Sequence, residues 1–147
     1  MPRTLCDDKD RAELLERLRR LQPDSPRQWG TLDAPGMLCH VTDAFRLALG
    51  QIQSRPHYNA LSRSIGKFLV VNTSLRPPKG RIKAPPETMF TSPSEWSRDL
   101  TSCEELAMRV ASGEASAVHP AFGPLTPEEW GRMCWKHTDH HLRQFGV

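Results

Sequence analysis

The chain has 147 residues, of which 37% are hydrophobic and 25% charged, and its formal net charge is +3. This length predicts a single domain, residues 1–147, that can bury a core without disulfides. The small, scattered charge argues against a dedicated nucleic-acid binder, and no apolar run reaches the roughly 18 residues of a membrane span.

The first residues and the cysteines indicate a reducing compartment. The sequence turns acidic at Asp7 and Asp8, with no apolar signal region before them. The cysteines form no C-x-x-C pair and no compact framework, which favours free thiols. They are Cys6, Cys39, Cys103 and Cys134. We therefore expect a cytoplasmic protein.

The first helix is predicted at about 7–21. Leucines recur there at helical spacing, and charged residues fill the opposite face. Asp7 and Asp8 suit the positive end of the helix dipole. Pro23 then ends the helix.

A second helix is predicted at about 33–50, with Asp33 as its N-cap and Gly50 as its stop. One face of this helix carries Met37, His40, Ala44 and Leu47. His40 is therefore predicted among core positions and not on the solvated side.

The middle of the chain is less regular. Residues 57–72 are predicted to be helical, although Gly66 and the β-branched pair after Leu69 weaken the pattern. The apolar residues that recur at helical spacing in that segment are Tyr58, Leu61, Ile65, Phe68 and Leu69. Residues 73–92 hold several prolines and predict a long crossover loop.

Two further helical regions follow the loop. The region 93–112 contains two sets of capping-box spacing, so it is one helix or two. The last helix begins after the N-cap Thr126 and runs to about Phe145. Its inward stripe would be Trp130, Cys134, His137, His141 and Gln144.

Strand signals are nearly absent from the sequence. The fold class that this pattern predicts is all-α, a four-helix bundle in which the loop 73–92 is the crossover.

Three histidines occupy predicted seam positions of two helices. His137 and His141 are four residues apart, a spacing at which two imidazoles can converge on one ion. His40 adds a third nitrogen donor from the other helix. An open tri-histidine site suits Zn, Ni, Cu or Fe, and it resembles a catalytic more than a structural zinc site. The alternative is that the three histidines are hydrogen-bonded core residues.

The sequence around these histidines resembles the DinB-like superfamily of metal-binding four-helix bundles. The stretch 137–145 reads HTDHHLRQF and is similar to the H-x-x-H-H-x-x-Q ending of that family. The segments 29–32 with 37–40, and 119–123 with 129–130, resemble a subgroup catalogued only as a domain of unknown function. Many members carry Gly where this chain has Arg143.

The resemblance implies a metal held by His40, His137 and His141. Some members of the superfamily are thiol-dependent transferases, in which a low-molecular-weight thiol binds the metal as a thiolate. This implies a divalent ion, Zn or Ni before others, and a thiol or small-molecule substrate as partner. Exposed helix faces would also be compatible with a homodimer.

Several neighbouring residues have two interpretations each. Asp43 and Gln144 each lie one turn after a histidine, and each is a candidate to orient an imidazole. The alternative is that Asp43 is solvated and that Gln144 lies at the edge of the core. Cys134 would compete for the metal as a thiolate, but a buried inert thiol is the commoner case. His140 is expected to pack against a neighbouring helix, with the role of ligand as the alternative.

Three other features bear on the cavity that such a site needs. His119 is expected to be structural, near the mouth of the cavity, and Trp130 is a candidate for its wall. The loop 73–92 is basic, and it is either a solvated loop or a means of attracting an anionic substrate. Its basic residues are Arg76, Lys79, Arg81 and Lys83.

Two functions follow from different classes. The first is a metal-dependent thiol transferase or hydrolase of unknown substrate; the absence of Asp and Glu from the seam favours the thiolate chemistry. The alternative is a non-catalytic, metal-stabilised binding or stress-related module, in which the ion ties two helices together.

Overall fold

A computed structural model of the protein describes residues 1–80 and 86–147. Arg81 and Lys83 of the predicted basic loop lie outside the described residues. No helix in the described ranges has both the length and the hydropathy needed to cross a membrane.

The described chain is mostly helical, which confirms the broad all-α prediction. The helices are α1 (Asp8–Arg20), α2 (Ala34–Ala48), α3 (Lys67–Val71), α4 (Trp96–Ala111) and α5 (Pro127–Gln144). A π-helical turn, Ser62–Gly66, precedes α3, and a 3-10 turn, Pro86–Met89, precedes α4. Two short antiparallel strands, β1 (Val118–His119) and β2 (Gly123–Pro124), form a hairpin before α5.

Side-chain caps begin α2 and α5 where the sequence predicts them, and Asp7 caps α1. The Asp33 carboxylate accepts a hydrogen bond from the Gly36 amide at 2.8 Å. Thr126 and Glu129 form the reciprocal capping box of α5. The region 93–112 is a single helix, whose N-cap residue Glu95 makes no side-chain cap bond.

The core lies between α1, α2, α4 and α5, because each of these helices presents an apolar stripe to the others. α2 packs against both α4 and α5, and α1 packs against α5. Fully buried side chains include Leu14 of α1, Phe45 of α2, Val110 of α4 and Leu142 of α5. α2 is central, and its buried face includes His40.

The apolar residues at helical spacing in segment 57–72 are mostly exposed. Leu61, Ile65 and Phe68 are 64%, 58% and 59% exposed, while Val71 is fully buried. Helical spacing shows that side chains share a face, but it does not show that another element covers that face. This segment is held to α5 by polar contacts at its end, where the Lys136 ammonium donates to the carbonyls of Val70 and Thr73.

The described part of the loop 73–92 is fixed against α2. The buried Asp43 carboxylate accepts hydrogen bonds from the Thr91 amide at 2.7 Å and from the Thr91 hydroxyl at 2.5 Å. It also pairs with Arg46 at 2.8 Å. Because Thr91 is held in this way, the 3-10 turn before it lies along α2, and the Thr88 carbonyl reaches His40.

The segment before α2 packs closely on the end of α5. The backbone amide of Gln28 donates to the backbone carbonyl of Gln144 at 2.6 Å. Gly30 has φ of +90°, and a Cβ at that position would lie 2.6 Å from Nε2 of Gln144. A glycine is needed here for its backbone conformation and for the space that it leaves to Gln144.

Gly30→Ala is expected to destabilise the fold more than Gly50→Ala. Both residues have positive φ, which costs an alanine about 1–2 kcal/mol, but nothing lies within 4 Å of a Cβ at Gly50. The close contact with Gln144 should add about 1 kcal/mol or more to the loss in Gly30→Ala. Urea unfolding of both variants measures the difference; equal losses would contradict the argument from close packing.

Candidate metal centre

Three histidines that are far apart in the sequence meet between α2 and α5. His40 comes from α2, and His137 and His141 come from successive turns of α5. The Nε2 atom of His137 lies 3.1 Å from Nε2 of His40 and 3.2 Å from Nε2 of His141. One ring nitrogen from each residue can be chosen so that all three lie within 4.8 Å of one another.

These separations fit a single metal ion. Zn–N bonds of about 2.0–2.1 Å at tetrahedral angles place ligand nitrogens about 3.3 Å apart. The two measured nitrogen distances, 3.1 and 3.2 Å, are within about 0.2 Å of that value. The remaining separation, between the nitrogens of His40 and His141, is at most 4.8 Å.

The Nδ1 atoms of two of these histidines have fixed partners. Nδ1–H of His40 donates to the Thr88 carbonyl oxygen at 2.9 Å, since a carbonyl can only accept. Nδ1–H of His141 donates to Oε1 of Gln144 at 2.8 Å. Both tautomers leave Nε2 with a free lone pair directed at the centre of the cluster, which is the form that coordinates metals.

His137 completes the cluster without a fixed tautomer. Its Nδ1 is buried and has no hydrogen-bond partner among the described residues. Its Nε2 faces the unprotonated Nε2 atoms of His40 and His141. If the His137 ring carries its proton on Nε2, that single N–H is shared between two lone pairs and satisfies both poorly. A cation at the centre would satisfy all three nitrogen atoms together.

Electrostatics keeps the three imidazoles neutral. Burial lowers the pKa of His141 to about 3, with a further contribution from His40. Burial also lowers the pKa of His40 and, together with the neighbouring histidines, lowers the pKa of His137 well below its ordinary value. At neutral pH the cluster offers three uncharged imidazoles, so a metal does not have to compete with the protons of charged imidazolium rings.

The two predicted orienting residues differ in what they contact. Gln144 bonds His141 directly, as the spacing predicts. Among the described residues, the carboxylate of Asp43 has no hydrogen bond to a histidine and bonds Thr91 and Arg46 instead. Asp43 therefore acts on His40 through the loop, because it holds the segment that brings the Thr88 carbonyl to Nδ1.

His140 and Cys134 do not join the cluster. The His140 ring meets the edge of Trp29, with ring centroids 5.0 Å apart, which agrees with the expected packing role. Cys134 is buried, and burial strongly raises the pKa of its thiol. The remaining thiols are also unpaired; burial raises the pKa of Cys39 to about 11.

A cavity of about 340 Å³ borders the histidine cluster. Most of the wall that does not come from the cluster is apolar. The residues that contribute this apolar wall are Trp29, Leu47, Val70, Pro77, Pro120, Ala121, Phe122 and Met133. Trp130 does not border the cavity; it is buried in the core, and its Nε1–H donates to the Ala117 carbonyl at 2.9 Å.

His119 lies on the cavity wall and is held by the hairpin. Its Nδ1 accepts hydrogen bonds from the amides of Ala121 at 3.1 Å and Phe122 at 3.2 Å. Its ring stacks on Phe122 and contacts Trp130, at centroid distances of 4.7 and 5.3 Å. Burial, with a contribution from His57, lowers its pKa to about 4. The structural role predicted for His119 is thus accompanied by a place at the cavity.

The described part of the basic loop contributes little charge to the wall. Pro77 and Gly80 border the cavity, and the Lys79 ammonium lies over the ring of Trp29, 5.5 Å from its centroid. Arg76 borders a different cavity, beside Asp139.

Sequence reasoning missed several wall residues. Met133 could have been found, because it lies four residues before His137 on the same helix. Thr88 and Trp29 carry no comparable signal. They come from irregular segments whose position depends on the packed fold.

A comparison with protein families gave one match, to a family described as "Protein of unknown function (DUF1569)", over residues 9–146. No curated protein and no solved structure gave a significant match.

Acidification is expected to destabilise the metal-free protein. The pKa of His119 is about 4 in the fold and about 6.5 in an unfolded chain. Between these values the unfolded state binds the proton more tightly, so the free energy of unfolding falls as pH falls from about 6.5 to about 4. The free energy of unfolding, measured by urea titration at several pH values in this range, should depend less steeply on pH in His119→Phe than in the wild type, by the equivalent of up to about one bound proton. Identical slopes in the two proteins would contradict the assignment.

Proposed function

We propose a function for this chain, which belongs to the family of proteins of unknown function DUF1569; the family's model matches residues 9–146. The proposal, based on the histidine cluster, is that the protein binds a divalent metal and acts as a metal-dependent thiol transferase or hydrolase. His40, His137 and His141 are the proposed ligands. The observation that carries the proposal is the convergence of three neutral Nε2 atoms, two of them at 3.1 and 3.2 Å from the third.

The donor set supports an ion with an open position. Three imidazoles are fewer ligands than the four protein groups of a typical structural zinc site. The cluster also borders a cavity and is not sealed in the core. Imidazole ligands suit Zn and Ni among the common divalent ions. A small molecule could therefore approach the remaining coordination position from the cavity.

The chemistry that fits this wall is thiol transfer before hydrolysis. A bound divalent ion would supply Lewis acidity, which lowers the pKa of a thiol or water beside it. Hydrolysis usually also needs a protein acid or base whose pKa is near the working pH. No Asp or Glu appears among the described residues that border the cavity, and burial lowers the pKa of the wall histidine His119 to about 4. Thiol transfer to an electrophile needs less help of that kind, because a thiolate is already a strong nucleophile.

We also propose that the fold is a DinB-like four-helix bundle. Its helices would be α1, α2, α4 and α5, with the segment between α2 and α4 as the long crossover. The support is the packing of α2 on α4 and α5, and of α1 on α5, around the shared core. Placement of the histidines on α2 and α5 agrees with metal sites built between facing helices of bundles.

A non-catalytic role is the second candidate. An ion held by His40 and by two residues of α5 would tie α2 to α5, and it would stabilise the fold by its binding free energy. This role needs no exchange of small ligands at the ion, which separates it from the first candidate.

Untagged protein is expected to hold about one zinc or nickel ion per chain. His137→Ala and His141→Ala should each lose it, because either change removes one of three ligands. His140→Ala is the matched control on the same helix and should retain the metal. Elemental analysis after reconstitution and gel filtration makes the measurement, and circular dichroism checks that each variant is folded. A wild-type protein that holds neither metal would overturn the proposal.

Cobalt-loaded protein should bind thiols at the open position. Addition of 2-mercaptoethanol is expected to produce a near-ultraviolet sulfur-to-cobalt charge-transfer band, and azide should shift the visible bands of the same ion. If the cobalt spectrum responds to neither ligand, the ion is closed to exchange and the stabilising role is favoured. The His140→Ala variant again serves as the control that should behave like wild type.

A further inference from the structure

The wall of the cavity limits the kind of molecule that can enter it. Trp29, Phe122 and Met133 give it broad apolar surfaces, and its volume of about 340 Å³ lies at the lower end of the range of small-molecule sites. A cavity of this size and polarity is suited to a body of roughly one aromatic ring with its substituents.

The wall offers little to a charged body. Among the described residues that border the cavity there is no Asp or Glu, and the only Lys or Arg is Lys136. The ammonium of Lys136 already donates to the carbonyls of Val70 and Thr73, the latter at 2.7 Å. A carboxylate held against the apolar part of this wall, away from the ion, would lose its hydration without gaining a free counter-ion among the described residues, which is costly.

His119 is a polar group on the wall that has an uncommitted atom. Because Nδ1 of His119 accepts from the amides of Ala121 and Phe122, the neutral ring carries its proton on Nε2. That Nε2–H has no hydrogen-bond partner among the described residues, and the ring borders the same cavity as the cluster. Its stacking on Phe122 holds the ring in place. His119 is therefore a fixed hydrogen-bond donor.

His119 is also near the cluster. The ring borders the same cavity as His40, His137 and His141. A molecule that extends from the triad along the cavity therefore passes the part of the wall that His119 contributes.

We propose that the cavity selects an uncharged, mainly apolar ligand body, whose metal-binding head meets the triad and which accepts one hydrogen bond from Nε2–H of His119. This inference rests on the proposed metal site, since the head group needs an ion there. The inference concerns the selectivity of the metal site. In it, His119 is a positioning group that orients the ligand.

Hydroxamates give a direct test, because they carry one metal-binding head on bodies of chosen chemistry. Zinc-loaded full-length protein would be titrated calorimetrically with acetohydroxamate, benzohydroxamate and 4-carboxybenzohydroxamate. Benzohydroxamate is expected to bind at least about tenfold more tightly than acetohydroxamate, since its ring becomes buried. The carboxylated compound should bind at least about tenfold more weakly than benzohydroxamate. Equal affinities, or tighter binding of the carboxylate, would overturn an apolar, uncharged ligand.

The role of His119 is tested by His119→Asn. The Asn side-chain oxygen can still accept from the amides of Ala121 and Phe122, but the Nε2–H donor is removed. Two compounds with an acceptor on the ring would be tested, 3-acetylbenzohydroxamate and 4-acetylbenzohydroxamate. Whichever binds the wild type more tightly should bind the variant at least about fivefold more weakly, which corresponds to the loss of one hydrogen bond. Benzohydroxamate, which has no acceptor on its ring, should change by less than about twofold. Unchanged affinities for both acetyl compounds would overturn the assigned donor.

Acetohydroxamate separates failure of this inference from failure of the metal site. It should bind zinc-loaded wild type and not the metal-free protein, whatever the nature of the wall. If it binds only the zinc-loaded form while benzohydroxamate shows no advantage, the metal site stands and the selectivity is wrong. If it does not bind the zinc-loaded form at all, the open metal position is wrong and this inference fails with it.

Discussion

The hydrogen bonds at Nδ1 of His40 and His141 are the interactions on which the site depends. Each bond sets the tautomer and the orientation of one imidazole, so that Nε2 points into the cluster with a free lone pair. Without these acceptors the rings could rotate or take the other tautomer. Three histidines near one another would then be only a polar defect in a core. The two acceptors thus make a candidate ligand set out of a group of buried side chains.

The rest of the fold places those two acceptors. The buried Asp43 carboxylate fixes Thr91, and the turn that precedes Thr91 then brings the Thr88 carbonyl to His40. Gln144 is placed by its position on α5 and by the close approach of Gly30, whose missing side chain leaves room for the amide. Residues that touch no metal therefore determine the geometry of the candidate site.

The cluster carries a cost that a bound cation would offset. Burial lowers the pKa values of the three imidazoles, with repulsion from neighbouring histidines added at His137 and His141, so the rings remain neutral. Nδ1 of His137 has no partner among the described residues. Buried polar atoms without partners reduce the free energy of unfolding. The same neutral state makes the nitrogens available for coordination. A strained polar group of this kind is expected at a functional site more than in an ordinary core.

Caps, prolines and apolar periodicity act locally, so most of the helices and the two faces that carry the histidines could be predicted from the amino-acid sequence. The same patterns put His40 on α2 and His137 and His141 one turn apart on α5, and spacing made Gln144 a candidate partner. The positions of Thr88 and Trp29 beside the histidines, the action of Asp43 through the loop, and the exposure of Leu61, Ile65 and Phe68 could not be predicted in this way. The reason is physical: periodicity reports which side chains share a face, whereas the partner of that face, and the path of an irregular segment, depend on contacts between residues distant in the chain.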